Sequence, residues 1–155
     1  MAILSGGDTF KVAVFGFMKY LVIFFLLATA SKAFSSSEES IVVGHCSINA
    51  IIMQTKQEQA RGLLGYTERS FPYGGMLFKL GGRDKKVFHT MGMDMTIRIM
   101  GVMQTSQGNY RVIGDIIKAP PGLQQIVIDA PDVFEIPEGK YQLNFKRCLG
   151  ATEAK

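Results

Sequence analysis

The sequence predicts an α+β domain that is mainly β: a compact single body of short antiparallel strands, barrel-like, with one short capped helix near 55–64. Short runs rich in Ile, Val, Phe and Met alternate with turn residues along most of the chain. Seventeen glycines and five prolines in 155 residues supply the turns that many short elements need. Only one segment, Thr55-Lys56-Gln57-Glu58, carries a strong helix start.

Phe34 to Ser40 is Ser-rich and acidic and reads as a solvated, flexible leader (34–40) into a domain over 41–149, with 150–155 as a tail. Ile41–Val43 and Ile48–Met53 are β-branched runs separated by Gly44 and polar residues, hence two strands. In the capping box, the Thr55 hydroxyl takes the N3 amide and the Glu58 side chain reaches back to the cap amide. Ala60, Leu63 and Leu64 then fall on one helical face, and Gly65 is placed to end the helix in a left-handed conformation. Tyr66 to Tyr73 is a loop. Met76–Leu80 follows Gly74-Gly75 as a short apolar strand, and Val87–Thr90 is extended. Ile97–Met103 and Tyr110–Ile113 are strands joined by a Ser106-Gln107-Gly108-Asn109 hairpin loop. After Pro120-Pro121-Gly122 come brief strands at Gln125–Ile128 and Val133–Ile136. In Tyr141–Lys146, Tyr141, Leu143 and Phe145 alternate with polar residues, which predicts a last strand with one face inward.

The chain has 17 Lys and Arg against 13 Asp and Glu, is 47% hydrophobic and 19% charged, and fits one modest domain. It is too apolar for a disordered tail, and a net charge of +4 is too weak to argue for nucleic acid. From Met18 a basic start, the apolar run Tyr20–Ala30 and small residues at an Ala-x-Ala-like site form the pattern of a signal peptide over 1–33, cleaved after Ala30 or Ala33. That run is about half of the roughly 20 residues a membrane-crossing helix requires. The rival is an uncleaved N-terminal anchor joining Val12–Met18 to Leu21–Ala30, which must bury Lys19 at a cost of a few kcal/mol. The 17 residues before Met18 make an unusual leader, and Met18 is an alternative start. Removing 1–33 takes away Lys11, Lys19 and Lys32 against Asp8, leaving 14 basic and 12 acidic residues and a net charge of +2. The expected location is therefore periplasmic or secreted, with contact to membrane only through an uncleaved export segment.

Cys46 and Cys148 lie near the two ends of the mature chain. In an oxidising compartment they could pair, or they could be two separate buried thiols. No spacing among His45, Cys46, His89 and Cys148 supports a metal site.

Three segments resemble the family called domain of unknown function 192. Thr55-Lys56-Gln57-Glu58-Gln59-Ala60-Arg61-Gly62-Leu63-Leu64 is similar to its Thr-x-x-Glu-Arg-x-Arg-Gly-Leu-Met helix, with Gln59 in place of the usual Arg. Gly75-Met76-Leu77-Phe78 stands as the family has it, a few residues beyond Phe71-Pro72. Phe88 to Arg98 resembles its His-Thr-x-x-Met-Arg-x-Pro-Ile-Asp segment, and Val133–Gly139 extends the likeness more loosely. Where the family has a basic residue and then Asp four places on, this chain has Asp94 and Arg98, a pair with exchanged charges. Such an exchange suits a structural salt bridge and not a catalytic carboxylate. The resemblance implies a small, mainly β domain, often behind a signal peptide, with no established activity or cofactor.

Among candidate residues, His89 and Thr90 are adjacent, and adjacent residues of an extended segment point to opposite faces, which argues against their cooperation. Arg61 could bind a carboxylate or phosphate through its planar fork, or bridge to the neighbouring β-layer. Met91, Met93, Met95, Met100 and Met103 suit Cu(I) by chemistry, yet core filling by an adaptable apolar side chain is the favoured reading. No Walker loop, Gly-x-Ser-x-Gly elbow, His-Glu-x-x-His or Cys-x-x-Cys occurs, and no cofactor is predicted. The expected function is non-catalytic binding of a small ligand or an envelope partner protein near Arg61, His89, Thr90 and the Gly74-Gly75 loop. The alternative is a small envelope hydrolase or transferase using His89 as base and Arg61 for an anionic substrate.

Overall fold

The computed structural model describes residues 37–82 and 84–149. The predicted export segment, the first residues of the leader and the 150–155 tail lie outside the described residues.

The β-branched runs form the strands. Ser37–Val43 (β1) pairs antiparallel with Cys46–Met53 (β2) across a two-residue turn at Gly44-His45, with Val43 opposite Cys46 and Ser37 opposite Ile52. Ser37–Ser40, assigned to the leader by composition, thus continues β1. These four residues pair with the apolar end of β2, while their polar side chains stay largely in solvent. The helix α1 (Lys56–Arg61) follows, and the chain returns as Gly75–Phe78 (β3), Lys85–Phe88 (β4), Ile97–Gln104 (β5), Tyr110–Ala119 (β6), Ile126–Asp129 (β7) and Asp132–Pro137 (β8).

Six strands close a barrel in the order β1-β2-β3-β8-β5-β6, and β4 pairs with β7 as a separate two-stranded ribbon. The expected antiparallel pattern holds at most seams, but β2–β3 and β1–β6 are parallel. A parallel neighbour requires a crossover of a dozen or more residues, and the α1 connection between β2 and β3 provides it. Strand β6 is longer than predicted. Its pairing with β5 shifts register at Met100/Gly101, opposite Ile116 and Ile113, so Gly114-Asp115 is a bulge within the strand rather than its end.

Two apolar cores result. The barrel interior holds Ile41, Ile48, Leu77, Val102, Phe134 and Ile136 with their neighbours. A second core packs the outer barrel face, through Met53, Met76, Phe78, Ile99 and Val133, against Leu63, Phe71 and β7. Alternation is therefore visible only where the outer face is in water. In β2 it is clean from Cys46 to Ala50 and vanishes over Ile51–Met53, where the second core covers the outside.

Tyr141–Lys146 is not a strand. Glu138–Lys140 (α2) runs into a wide helical turn over Tyr141–Phe145, and Gln142 Nε2 donates to Glu138 Oε1 at 3.0 Å, four residues back. Tyr141 and Phe145 are also four apart, so one face of a turn buries both in the barrel core as well as a strand would, while Leu143 stays 84% exposed. This segment carries Cys148 to Cys46, where the two form a disulfide with Cα atoms 5.3 Å apart. Among the described residues, no helix is long and apolar enough to cross a membrane.

Candidate functional site

The Thr55 box forms as predicted: the Thr55 hydroxyl accepts from the Glu58 amide at 3.2 Å, and Glu58 Oε2 accepts from the Thr55 amide at 2.9 Å. Those backbone bonds, the Thr55 amide first, hold the Glu58 carboxyl below its usual range. The helix ends earlier than expected, at Gly62 with φ +48°, and Gly65 takes its left-handed conformation in the turn that follows. Gln59 pins α1 down by donating to Lys79 O at 3.0 Å and Met53 O at 3.3 Å, at the ends of β3 and β2.

Between α1 and β4 lies a cavity of about 430 Å³. Its exposed side carries Arg61, Lys85, Lys86 and His89, three of them exposed and Lys86 half-buried. Leu64, Phe78, Leu80, Phe88 and Met93 make its walls, with Phe78 and Phe88 meeting edge to face at 5.4 Å between centroids. Its floor is Glu135, which is 2% exposed. Glu135 is the outward-facing residue in the middle of β8, opposite Met76 of β3 and Ile99 of β5, so its strand neighbours offer no polar side chain. Among the described residues, its Oε2 has no hydrogen-bond partner. Burial pushes its carboxyl up to about 8, which keeps it mostly protonated at neutral pH.

The structure brings Arg61 and His89 to this one cavity and places the other candidates elsewhere. Thr90 is fully buried: its hydroxyl donates to Pro120 O at 2.6 Å and accepts from the Leu123 amide at 3.0 Å, fastening the β6–β7 connection. Gly74 donates its amide to Asn49 O at 2.8 Å, and a Cβ there would press on Ile48 and Phe145. A Cβ on Gly75 would collide with the Phe134 ring and lie 2.9 Å from Glu135 O. Both glycines serve close strand packing and line no part of the cavity.

Asp94 and Arg98 are not partners. Four residues apart, they would face each other on a helix, but Arg98 belongs to β5 and Asp94 to the exposed turn before it. Arg98 instead forms a fork with Glu138, Nε to Oε2 at 2.5 Å and Nη2 to Oε1 at 3.1 Å, and lies over the Tyr141 ring at 4.9 Å. The Arg98 hydrogen bond is the main cause that holds the Glu138 carboxyl low. The methionines scatter: Met100 faces the barrel interior, Met95 the second core, Met93 the cavity, and Met91 is 49% exposed. With Cys46 and Cys148 joined to each other, neither can serve as a thiolate ligand.

The sequence alone does not single out Lys85, Lys86 or Glu135. The signal for Glu135 was present: a lone carboxylate inside Val133-Phe134-Glu135-Ile136, a strand apolar on both faces.

No family model and no curated protein matches the sequence. Two solved structures match. One, from Sinorhizobium meliloti and provisionally named a transcription regulator, is 17% identical, with 70% of this chain and 86% of that one covered at a TM-score of 0.54. The other, a protein of unknown function from Novosphingobium aromaticivorans, is 20% identical, with 72% and 89% covered at a TM-score of 0.47. At such identity the first likeness shows a shared fold alone.

Proposed function

We propose that the chain is an exported, non-catalytic domain, of the kind called domain of unknown function 192, whose cavity between α1 and β4 binds a small, partly apolar anion. One observation carries this reading: Arg61, Lys85, Lys86 and His89 converge on a cavity with aromatic and aliphatic walls. The cations Arg61, Lys85 and Lys86 at the open side attract and orient an anionic group, and the walls bury an apolar body. Export is supported by the signal-peptide pattern from Met18 and by the Cys46–Cys148 disulfide, which belongs to oxidising compartments. A partner protein of the cell envelope presenting an acidic, apolar segment is an alternative occupant.

The test uses protein recovered from the exported fraction, where its intact mass should begin near Ser31 or Phe34 and lack two hydrogens. By titration calorimetry, 4-isopropylbenzoate should bind at least about tenfold more tightly than the neutral 4-isopropylbenzamide, a difference of about 1.4 kcal/mol. Combining Arg61→Ala with Lys86→Ala should erase that preference. Equal binding of acid and amide, or a preference that survives the double variant, rejects the anion site. Full-length protein with free thiols rejects export.

The hydrolase or transferase reading is favoured by His89 and Arg61 sharing the cavity. Thr90 cannot supply its nucleophile, because the hydroxyl is buried and committed to Pro120 and Leu123. Ester hydrolysis that is lost in His89→Ala would favour this reading over binding alone.

A further inference from the structure

We propose that Glu135 determines what the cavity accepts: as a neutral acid it donates a hydrogen bond to an oxygen at the buried end of the ligand, so the occupant is an anion with a carbonyl, ether or hydroxyl oxygen at its far end. This deepens the anion-binding reading and rests on it. The cations gather at the exposed side, whereas the floor presents one carboxyl in apolar surroundings. Among the described residues Oε2 is buried without a partner, and Glu135 is one of the residues that line the cavity. A buried polar atom of this kind is strongly discriminating, since an occupant lacking a matching group leaves it unpaired.

On β8 itself, Asp132 Oδ1 accepts from the Leu80 and Gly81 amides at 3.0 and 3.3 Å. From α1 come Arg61, at the open side, and Glu58, which caps its own helix. β4 presents Lys85 and Lys86, and His89 follows it. On β5, Arg98 is committed to Glu138. Asp129, opposite Lys85 on β7, is exposed, and β3 has no titratable side chain. The amide of Gln59 is engaged by backbone carbonyls. Burial alone raises the Glu135 carboxyl, so its proton is available to an acceptor at neutral pH.

Three probes share a ring and carboxylate and differ only at the far end: 4-acetylbenzoate, 4-isopropylbenzoate and 4-(aminomethyl)benzoate. At pH 6 the acetyl compound should bind about tenfold more tightly than the isopropyl isostere. Between pH 6 and 9 its affinity should fall about tenfold as Glu135 loses its proton. In Glu135→Gln, which keeps a donor and cannot titrate, the acetyl preference should persist and the profile should flatten. The wild-type comparison of the three probes needs no variant. Equal affinities for acetyl and isopropyl, or a pH profile unchanged in Glu135→Gln, overturn the inference while leaving the anion site intact. Tightest binding by the aminomethyl compound, strengthening as pH rises, overturns it in favour of a carboxylate that pairs with an ammonium group. Failure of all three probes to bind removes the anion-binding reading, and this inference with it.

Discussion

Glu135 is flanked along β8 by Phe134 and Ile136, which fill the barrel, and across the sheet by Met76 and Ile99, which fill the second core. Ionising it there means placing a charge where water does not reach. The folded state therefore retains a proton up to about pH 8, whereas the unfolded chain releases it near the ordinary value of 4.5. Between those values the native state binds more protons than the unfolded one, so stability falls with rising pH. The contribution is full below about 4.5, declines by about 1.4 kcal/mol per pH unit inside the window, and stops declining above about 8. Glu58 and Glu138 have the opposite sign: each is held low by hydrogen bonds, so each stabilises above its unfolded value and loses that contribution in acid. Urea unfolding should thus show a maximum near the lower edge of the window, at about pH 4.5 to 5, and a midpoint that drops from there toward pH 8. Glu135→Gln should abolish the drop. Superimposable midpoint-against-pH curves for the two proteins would show that Glu135 does not hold a proton in the folded state at neutral pH.

At the scale of elements, α1 is the part on which the cavity depends, because it carries Arg61 and is only six residues long. A helix of that length does not persist through its own hydrogen bonds. Its start is fixed by the Thr55–Glu58 box and its body by Gln59, which reaches the carbonyls of Met53, Gln54 and Lys79. Gln59→Ala should therefore raise hydrogen exchange over residues 56–61 and weaken 4-isopropylbenzoate binding several-fold, with a stability loss of about 1–2 kcal/mol. Unchanged exchange in α1 would show that the side chain is not its anchor. The cap was legible because its signature is local in sequence. The last element was not, because Tyr141 and Phe145 satisfy both a two-residue and a four-residue period, and only the exposure of Leu143 separates strand from helical turn. The expected Asp94–Arg98 pair fails for a related reason. Proximity in sequence suggested the pair, whereas the actual carboxylate, Glu138, lies 40 residues away and is brought close only by β5 pairing with β8.

For the whole molecule, the mainly β class followed from the spacing of apolar runs, but the order in which strands close did not. The β1–β6 seam is a single residue pair, Val43 with Tyr110, supported by the Gly44 amide donating to Tyr110 O at 2.8 Å. So short a seam gives the closed barrel little backbone pairing at that edge. What else holds that region is the C-terminal segment: Tyr141, Phe145 and Leu149 enter the interior core, the His45 amide donates to Cys148 O at 3.2 Å, and the disulfide joins Cys148 to the β2 end of the same turn. The bond links residues 102 apart, and the loop-entropy relation for such a closure gives about 4–5 kcal/mol, of which measured proteins commonly retain about 2–5. Replacing Cys46 and Cys148 together by Ala should lower unfolding stability in urea by about 3 kcal/mol. Exchange protection should be lost first in the β1–β2 turn, the start of β6 and residues 141–149. The cavity is built by α1, β3, β4 and β8, none of which contains either cysteine. Affinity for 4-isopropylbenzoate should consequently change by less than about twofold under conditions where the double variant is still folded. A variant as stable as the native protein would show that packing of Tyr141 and Phe145 closes the barrel by itself. A variant that stays folded but loses the ligand would show that the seam and the cavity are one cooperative unit.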